Sequence, residues 1–494
     1  MAGRKLSPTA SALIRSLRGI GYSLDTAVAD LIDNSVAAGA RNIRILPSFR
    51  DGKASIAILD DGRGMLEAEL VEAMRFGGLG PGAARAEGDL GRFGLGLKTA
   101  SISQARRLTV ASSNGKSPLA TWRWDLDHVE NSASEWEILP GFDHASEPLP
   151  DLPGPGKSGT LVLWEDVDFG RTSERVTEAT LRGELRTLER HLGMVFHRFI
   201  ERGALTIELG NLEIRPWDPF LEGHNPSSQL VGKTRIPSPG GNVTVCGFVL
   251  PHRDRFRNEA DFELAGGPDG WHAHQGFHVY RGDRLLVAGG WFRLGRGKGW
   301  TRSEGSRLAR IRIEIPTSAD FEWQIDVKKS VARPPASIRP KLEKLAEDVR
   351  QRAREVFLHR GGWKPPTHSS PIEPVWKTIE GAGTARYRIN RDHPAIVALT
   401  GSAGAERVNA ALELVERMVP VERIWLDRSE DTEPLAPSKF VDPFIRQGAT
   451  DLVNALIKSG RPLKEAIFAV VSAEPFDSIE GLRESLEVEF GRTR

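Results

Sequence analysis

The sequence predicts an α+β protein of several domains, and three observations carry that reading. A chain of 494 residues is too long for one hydrophobic core. Short alternating strand-like runs are interleaved with helical ones over the first two thirds, and strands followed by helices indicate layered α+β domains. After a Gly/Pro-rich stretch at 361–371 the periodicity becomes mostly helical. The expected division is 1–204, 205–360, a linker at 361–371, and a helical module at 372–494.

Composition narrows the class. Hydrophobic content of 39%, 27% charge and 7% aromatics describe a soluble globular chain. A net charge of +1 gives no global attraction to nucleic acid or membrane, so any such contact must be a local patch. Cys246 is the one cysteine, which excludes a disulfide within the chain and fits a reducing compartment. The N-terminus lacks the apolar core of a signal peptide, and no run of about eighteen apolar residues occurs, so a cytoplasmic protein without a membrane span is expected.

Taken in order, residues 1–23 read as an arm with a helix from Ser11 to Arg18. Val28, Leu31, Ile32 and Val36 then recur at helical spacing, and Gly39 closes that helix. Asp30 and Asn34, one turn apart, share a face. They place a carboxylate able to take a proton beside an amide oxygen able to ligate a hard cation. Asp33 reads as a structural helix residue. Asn42–Leu46 and Ala54–Leu59 alternate as a hairpin, with Pro47 expected to end its first strand. The second strand runs into Asp60-Asp61-Gly62-Arg63-Gly64-Met65, where two glycines permit close approach of a ligand and Asp60 can accept from an exocyclic amine. A glycine-dense stretch from Gly77 to Gly96 suits a closing lid, and Gly91-Arg92-Phe93-Gly94-Leu95-Gly96-Leu97-Lys98 leads into a helix start suited to phosphate. Gly159-Thr160-Leu161-Val162-Leu163-Trp164 reads as a strand opening on a hydroxyl.

That ordered set resembles the four nucleotide-binding boxes of the GHKL ATPases, which comprise gyrase, the ninety-kilodalton heat-shock chaperone, histidine kinases and MutL. The resemblance covers roughly residues 10–200 and implies the Bergerat-fold α/β sandwich, with ATP and Mg²⁺ as ligands. It implies Asn34 as the Mg²⁺ ligand, Asp60 as the adenine acceptor with Thr160 in support, and Gly62, Gly64 and Met65 as backbone lying against the base. Gly91, Gly94, Leu95, Gly96, Leu97 and Lys98 are implied as the phosphate-binding lid. Asp30 stands where the family usually carries glutamate as general base. The side chain is one methylene shorter, and a misplacement near 1 Å can cost roughly 100-fold, so a slow ATPase is expected.

A helix over 176–201 is expected to close the first domain. Strands at 206–209, 242–249, 276–281 and 309–315 and a helix at 338–358 are assigned to a second, transducer-like domain, as in the gyrase–chaperone–MutL branch. Within that branch a lysine reaches the γ-phosphate, which implies Lys329 or Lys328 here. The segment containing Arg293, Arg296, Lys298, Arg302, Arg307, Arg310 and Arg312, with Trp291 and Trp300, is readable either as a DNA-phosphate surface (291–312) or as a solvated strand face. Gly156-Lys157-Ser158 lacks the earlier glycine of a P-loop, and His272 with His274 lacks a third metal ligand. Ile32-Asp33-Asn34-Ser35 and the Gly-Thr strand look closest to MORC-like and MutL-like proteins. That resemblance implies an ATP-dependent homodimeric clamp acting on DNA, its arm packed on a second protomer, with phage-defence or restriction proteins as partners. A chaperone-like clamp on polypeptides is the alternative.

Overall fold

The computed structural model describes residues 9–19, 21–76, 96–131, 136–143, 152–153, 156–170, 175–238, 240–295, 299–326, 329, 331–358, 375–381, 384–400, 405–417, 442–473, 476, 479 and 481–491. The chain forms two compact units, Met1–Trp363 and Lys364–Arg494. The expected linker at 361–371 straddles that division. The first unit holds two sheets, described below as two lobes.

The first lobe is an eight-stranded mixed sheet. Its strands are β1 (Asn42–Arg50), β2 (Lys53–Asp60), β3 (Ala105–Asn114), β4 (Ala120–Asp125), β5 (Leu139–Pro140), β6 (Ser158–Val167), β7 (Thr206–Leu209) and β8 (Leu212–Glu213), in the order β5-β4-β3-β6-β2-β1-β7-β8. Helices α1 (Ala10–Arg18), α2 (Leu24–Ala37), α3 (Glu67–Met74), α4 (Gly96–Ile102), α5 (Leu126–Asn131), α6 (Glu178–Val195) and α7 (His197–Glu201) complete this lobe. Ala27, Val28, Leu31 and Ile32 of α2 join Ile43, Ile45, Ile56 and Ile58 in its core. The helix stops where expected. Gly39 takes φ +77°, a left-handed turn that costs glycine nothing, and its N–H caps the Val36 carbonyl at 3.0 Å.

Two boundaries differ from the sequence reading. β1 runs through Pro47 to Arg50, because β7 flanks it only over Asn42–Ile45 and the missing N–H there costs no ladder bond on the open side. Thr206–Leu209 belongs to the first sheet, pairing parallel with β1, and not to the second domain. The arm helix α1 is docked on its own chain: Ala10 and Ile14 are buried in the first core, and Arg18 donates to the Ile102 and Ala105 carbonyls. Residues 1–8 and 20 of the arm lie outside the described residues.

The second lobe is a five-stranded sheet of β9 (Gln229–Ser238), β10 (Gly241–Val249), β11 (Gly276–Arg281), β12 (Arg284–Ala288) and β13 (Ala309–Ile315), ordered β12-β11-β13-β10-β9. A helix at Arg339–Leu358 contributes Leu342, Ala346, Val349 and Ala353 to its core. The hairpin β11–β12 turns on Gly282-Asp283, a turn dipeptide whose glycine sits at φ +61°. That turn fixes the position of Arg284, which proves important below.

The second unit holds a hairpin, Trp376–Gly381 with Thr384–Ile389, and helices including Asp442–Lys458, Leu463–Val471 and Leu482–Gly491. Val453, Leu456, Ile467, Val470 and Leu486 form its own core. Among the described residues no helix is long and apolar enough to cross a membrane.

Candidate active site

Asp30 lies mid-helix on α2 and is 2% exposed. The Tyr22 hydroxyl donates to its Oδ2 at 3.0 Å, which fixes the carboxylate plane. Its Oδ1 is buried, with Lys329 Nζ 3.1 Å away as an ion pair. A Cβ on Gly96, at the start of α4, would meet nothing nearer than Asp30 Oδ2 at 3.9 Å, so backbone borders the acid without covering it. Burial raises the Asp30 carboxyl above its ordinary value; Lys329 pulls it back and Asp33 adds to the rise. Burial, and then the Asp30 charge, push the Tyr22 phenol well up, so it remains a donor.

Lys329 arrives from the second lobe. Its loop is closed by the Lys329 N–H on the Asp326 carbonyl at 3.1 Å, and by Val331 N–H on the Asp326 carboxylate at 2.8 Å. Lys329 takes φ +53°, a left-handed conformation that a lysine adopts only when its surroundings impose it. Of the two lysines expected to couple the lobes, Lys329 reaches Asp30; Lys328 lies outside the described residues.

At the end of β2, Asp60 Oδ2 accepts from Ser35 Oγ at 2.7 Å and Oδ1 from the Gly62 N–H at 2.9 Å, with the Thr160 N–H on the same carboxylate. Burial raises this carboxyl, and those three donors partly reverse the rise. Thr160 faces Asp60 across β6, and its hydroxyl meets Ser112 Oγ at 2.9 Å. Ser112 in turn accepts from the Met65 N–H at 2.9 Å. Asp60, Gly62, Met65 and Thr160 therefore form one hydrogen-bonded group, as the sequence grouped them.

Gly64 is required by geometry: at φ +63°, a Cβ there would lie 1.9 Å from the Ser113 carbonyl oxygen. Gly64→Ala is expected to cost roughly 2–4 kcal/mol, as backbone strain plus overpacking. A fall in thermal midpoint checks this; an unchanged midpoint would contradict the fit.

Asn34 is exposed, one turn from Asp30 on α2. Lys98 differs from expectation. Its side chain is buried, and its ammonium donates to the Ala73 and Arg75 carbonyls at 2.9 and 2.8 Å, capping the C-terminal end of α3. Burial lowers it to about 8. That ammonium is committed to the fold and not held out for phosphate. Leu97 packs against the core, while Gly91, Gly94 and Leu95 lie outside the described residues.

The 291–312 segment is not an open cationic row. Trp291 and Arg310 are buried, Arg307 pairs with Glu304, and Arg312 pairs with Glu222 while lying over Phe220 and Phe248. Arg293 and Arg302 are exposed, and Arg296 and Lys298 lie outside the described residues. His272 meets Glu304 and His274 meets the Pro268 carbonyl; among the described residues no group of three or more His, Cys, Asp or Glu could hold a metal ion.

Sequence reasoning missed Tyr22, Ser35, Ser112 and Arg284. Ser35 was visible as the small polar residue beside Asn34. Arg284 was signalled only by the Gly-Asp turn preceding it.

Residues 22–150 match the family model of the histidine kinase-, DNA gyrase B- and HSP90-like ATPases. No curated protein matches the chain. The first lobe is thus similar over residues 22–150 to the GHKL-type ATPase domains, and that similarity supports ATP binding and hydrolysis; domains of this family usually bind ATP with Mg²⁺.

Proposed function

We propose that the chain binds Mg²⁺·ATP between α2 and the end of β2, hydrolyses it slowly, and passes the outcome to its second lobe through Lys329. The observation that carries this reading is the buried Asp30 carboxylate, held on one oxygen by Tyr22 and paired on the other with a lysine delivered by the other lobe. Such a carboxylate suits a general base, and the Tyr22 bond keeps it aimed.

The donor set fits the ligands. Asn34 offers an exposed neutral oxygen of the kind Mg²⁺ takes, and the ion when bound neutralises phosphate charge. Asp60 accepts the adenine amine, while Ser35, Gly62 and Thr160 hold its carboxylate in place. The short reach of aspartate, compared with glutamate, slows the proton transfer without removing it.

We infer further that the working form is a nucleotide-dependent homodimeric clamp acting on DNA, as in the MORC-like and MutL-like proteins whose Asp33-Asn34-Ser35 wording it resembles. Within 291–312, Arg293 and Arg302 are the exposed cations among the described residues, while Arg307, Arg310 and Arg312 serve internal contacts. The test is DNA affinity with and without ATP across a salt series, alongside light scattering with a non-hydrolysable analogue. Salt-dependent binding that strengthens with nucleotide, with a shift toward dimer, is expected. Nucleotide-independent binding, or affinity only for unfolded polypeptide, would overturn the DNA reading.

A further inference from the structure

Two cations from the second lobe converge on one carboxylate of the first lobe. Asp33 is fully buried on α2; its Oδ2 accepts from Lys329 Nζ at 2.5 Å and its Oδ1 from Arg284 Nε at 2.7 Å. Arg284 is itself buried, with Nη1 on the Leu285 carbonyl at 3.1 Å and its guanidinium 5.8 Å from the Phe196 ring centre. The neighbouring Asp283 pairs with Arg202 of α7 at 2.6 Å, so the β11–β12 turn is pinned to the first lobe at two consecutive residues.

Lys329 treats its two acids differently. Toward Asp33 it makes a short hydrogen bond at 2.5 Å; toward Asp30 it makes a longer ion pair at 3.1 Å. A lysine ammonium is a point charge on a flexible stem, so its position is set by its strongest acceptor. Without the Asp33 charge, the nearest carboxylate oxygen is Asp30 Oδ1, the atom whose lone pair must face the attacking water.

Resting on the function proposed above, we propose that Asp33 is a positioning residue of the hydrolytic site. Its shorter bond draws the Lys329 ammonium toward Asp33 and leaves Asp30 Oδ1 the longer, 3.1 Å ion pair, and Arg284 holds Asp33. The two carboxylates and two cations balance in charge, which makes this buried cluster tolerable. The role also ties catalysis to lobe contact: if the β11–β12 turn leaves α2, Asp33 loses a partner and Lys329 is no longer fixed.

The test compares Asp33→Asn, Arg284→Gln, Arg284→Lys, their combination Asp33→Asn/Arg284→Gln, and Asp30→Asn in the full chain. Asp33→Asn is expected to lower kcat by roughly 100-fold, the scale of a misplacement near 1 Å, with KM for ATP within about threefold. The groups facing Asp30 are Tyr22, Asp33, Lys329 and Arg284, so removing the Asp33 charge should also move the acid limb of the kcat profile to lower pH. A merely structural loss scales the profile without moving that limb. Arg284→Gln should lose less, Arg284→Lys should recover most of it, and the double variant should be no worse than Asp33→Asn.

Wild-type kcat in Asp33→Asn, with Asp30→Asn inactive, overturns the positioning role and leaves the hydrolytic site standing. Wild-type turnover in Asp30→Asn overturns the hydrolytic site itself. Should Asp33→Asn not fold, Arg284→Gln carries the test, and an unchanged kcat there overturns the proposal.

Discussion

Asp30→Asn is expected to lower ATP turnover by roughly 10²–10⁴-fold, the range that a positioned general base contributes. Nucleotide binding should survive. The substituted amide keeps the shape of a residue that is 2% exposed, and Tyr22 can still donate to its oxygen. What disappears is the basic lone pair. In the unsubstituted protein, burial raises the Asp30 carboxyl, so protonation silences the base at a higher pH than for an exposed aspartate. The rate should therefore fall, as pH decreases, through a limb above the usual carboxylate range. A steady-state phosphate-release assay over pH checks both statements, and undiminished turnover in Asp30→Asn would remove this residue from the mechanism.

The second large effect is expected at Asn34. Asn34→Ala should weaken Mg²⁺-dependent nucleotide binding by at least the roughly 10–100-fold that loss of even an outer-sphere partner costs a metal site. The substitution is informative because Asn34 is exposed, and exposed substitutions usually change stability by only about 0.5 kcal/mol. Lost affinity will not be confused with unfolding. Titration calorimetry with ATP, with and without Mg²⁺, is the measurement; equal affinity in both proteins contradicts the ligand role.

The larger architecture was legible because it rests on local signals. α2 could be read from apolar spacing and a closing glycine, and β2 from alternation running into a turn. Grouping Asp60 with Gly62, Met65 and Thr160 required only the order of the motifs, and the register of β2 against β6 joins them. The errors share one cause. Pro47 within β1 and the parallel β7 both depend on which strand lies alongside. A single sequence does not show its neighbours. The surroundings of Lys98 were hidden for the same reason: helix α3 supplies two carbonyls to which its ammonium donates.

By itself the sequence determined a helix carrying Asp30 and Asn34 on one face, a carboxylate at a strand end, and the glycine turns beside it. Those features are set by periodicity and backbone freedom within a few residues. Only the tertiary structure decided that Lys329 and Arg284 both reach Asp33, across sequence separations of 296 and 251 residues. Buried charges must find counter-charges, and folding chooses those partners by position in space, where sequence distance carries no information.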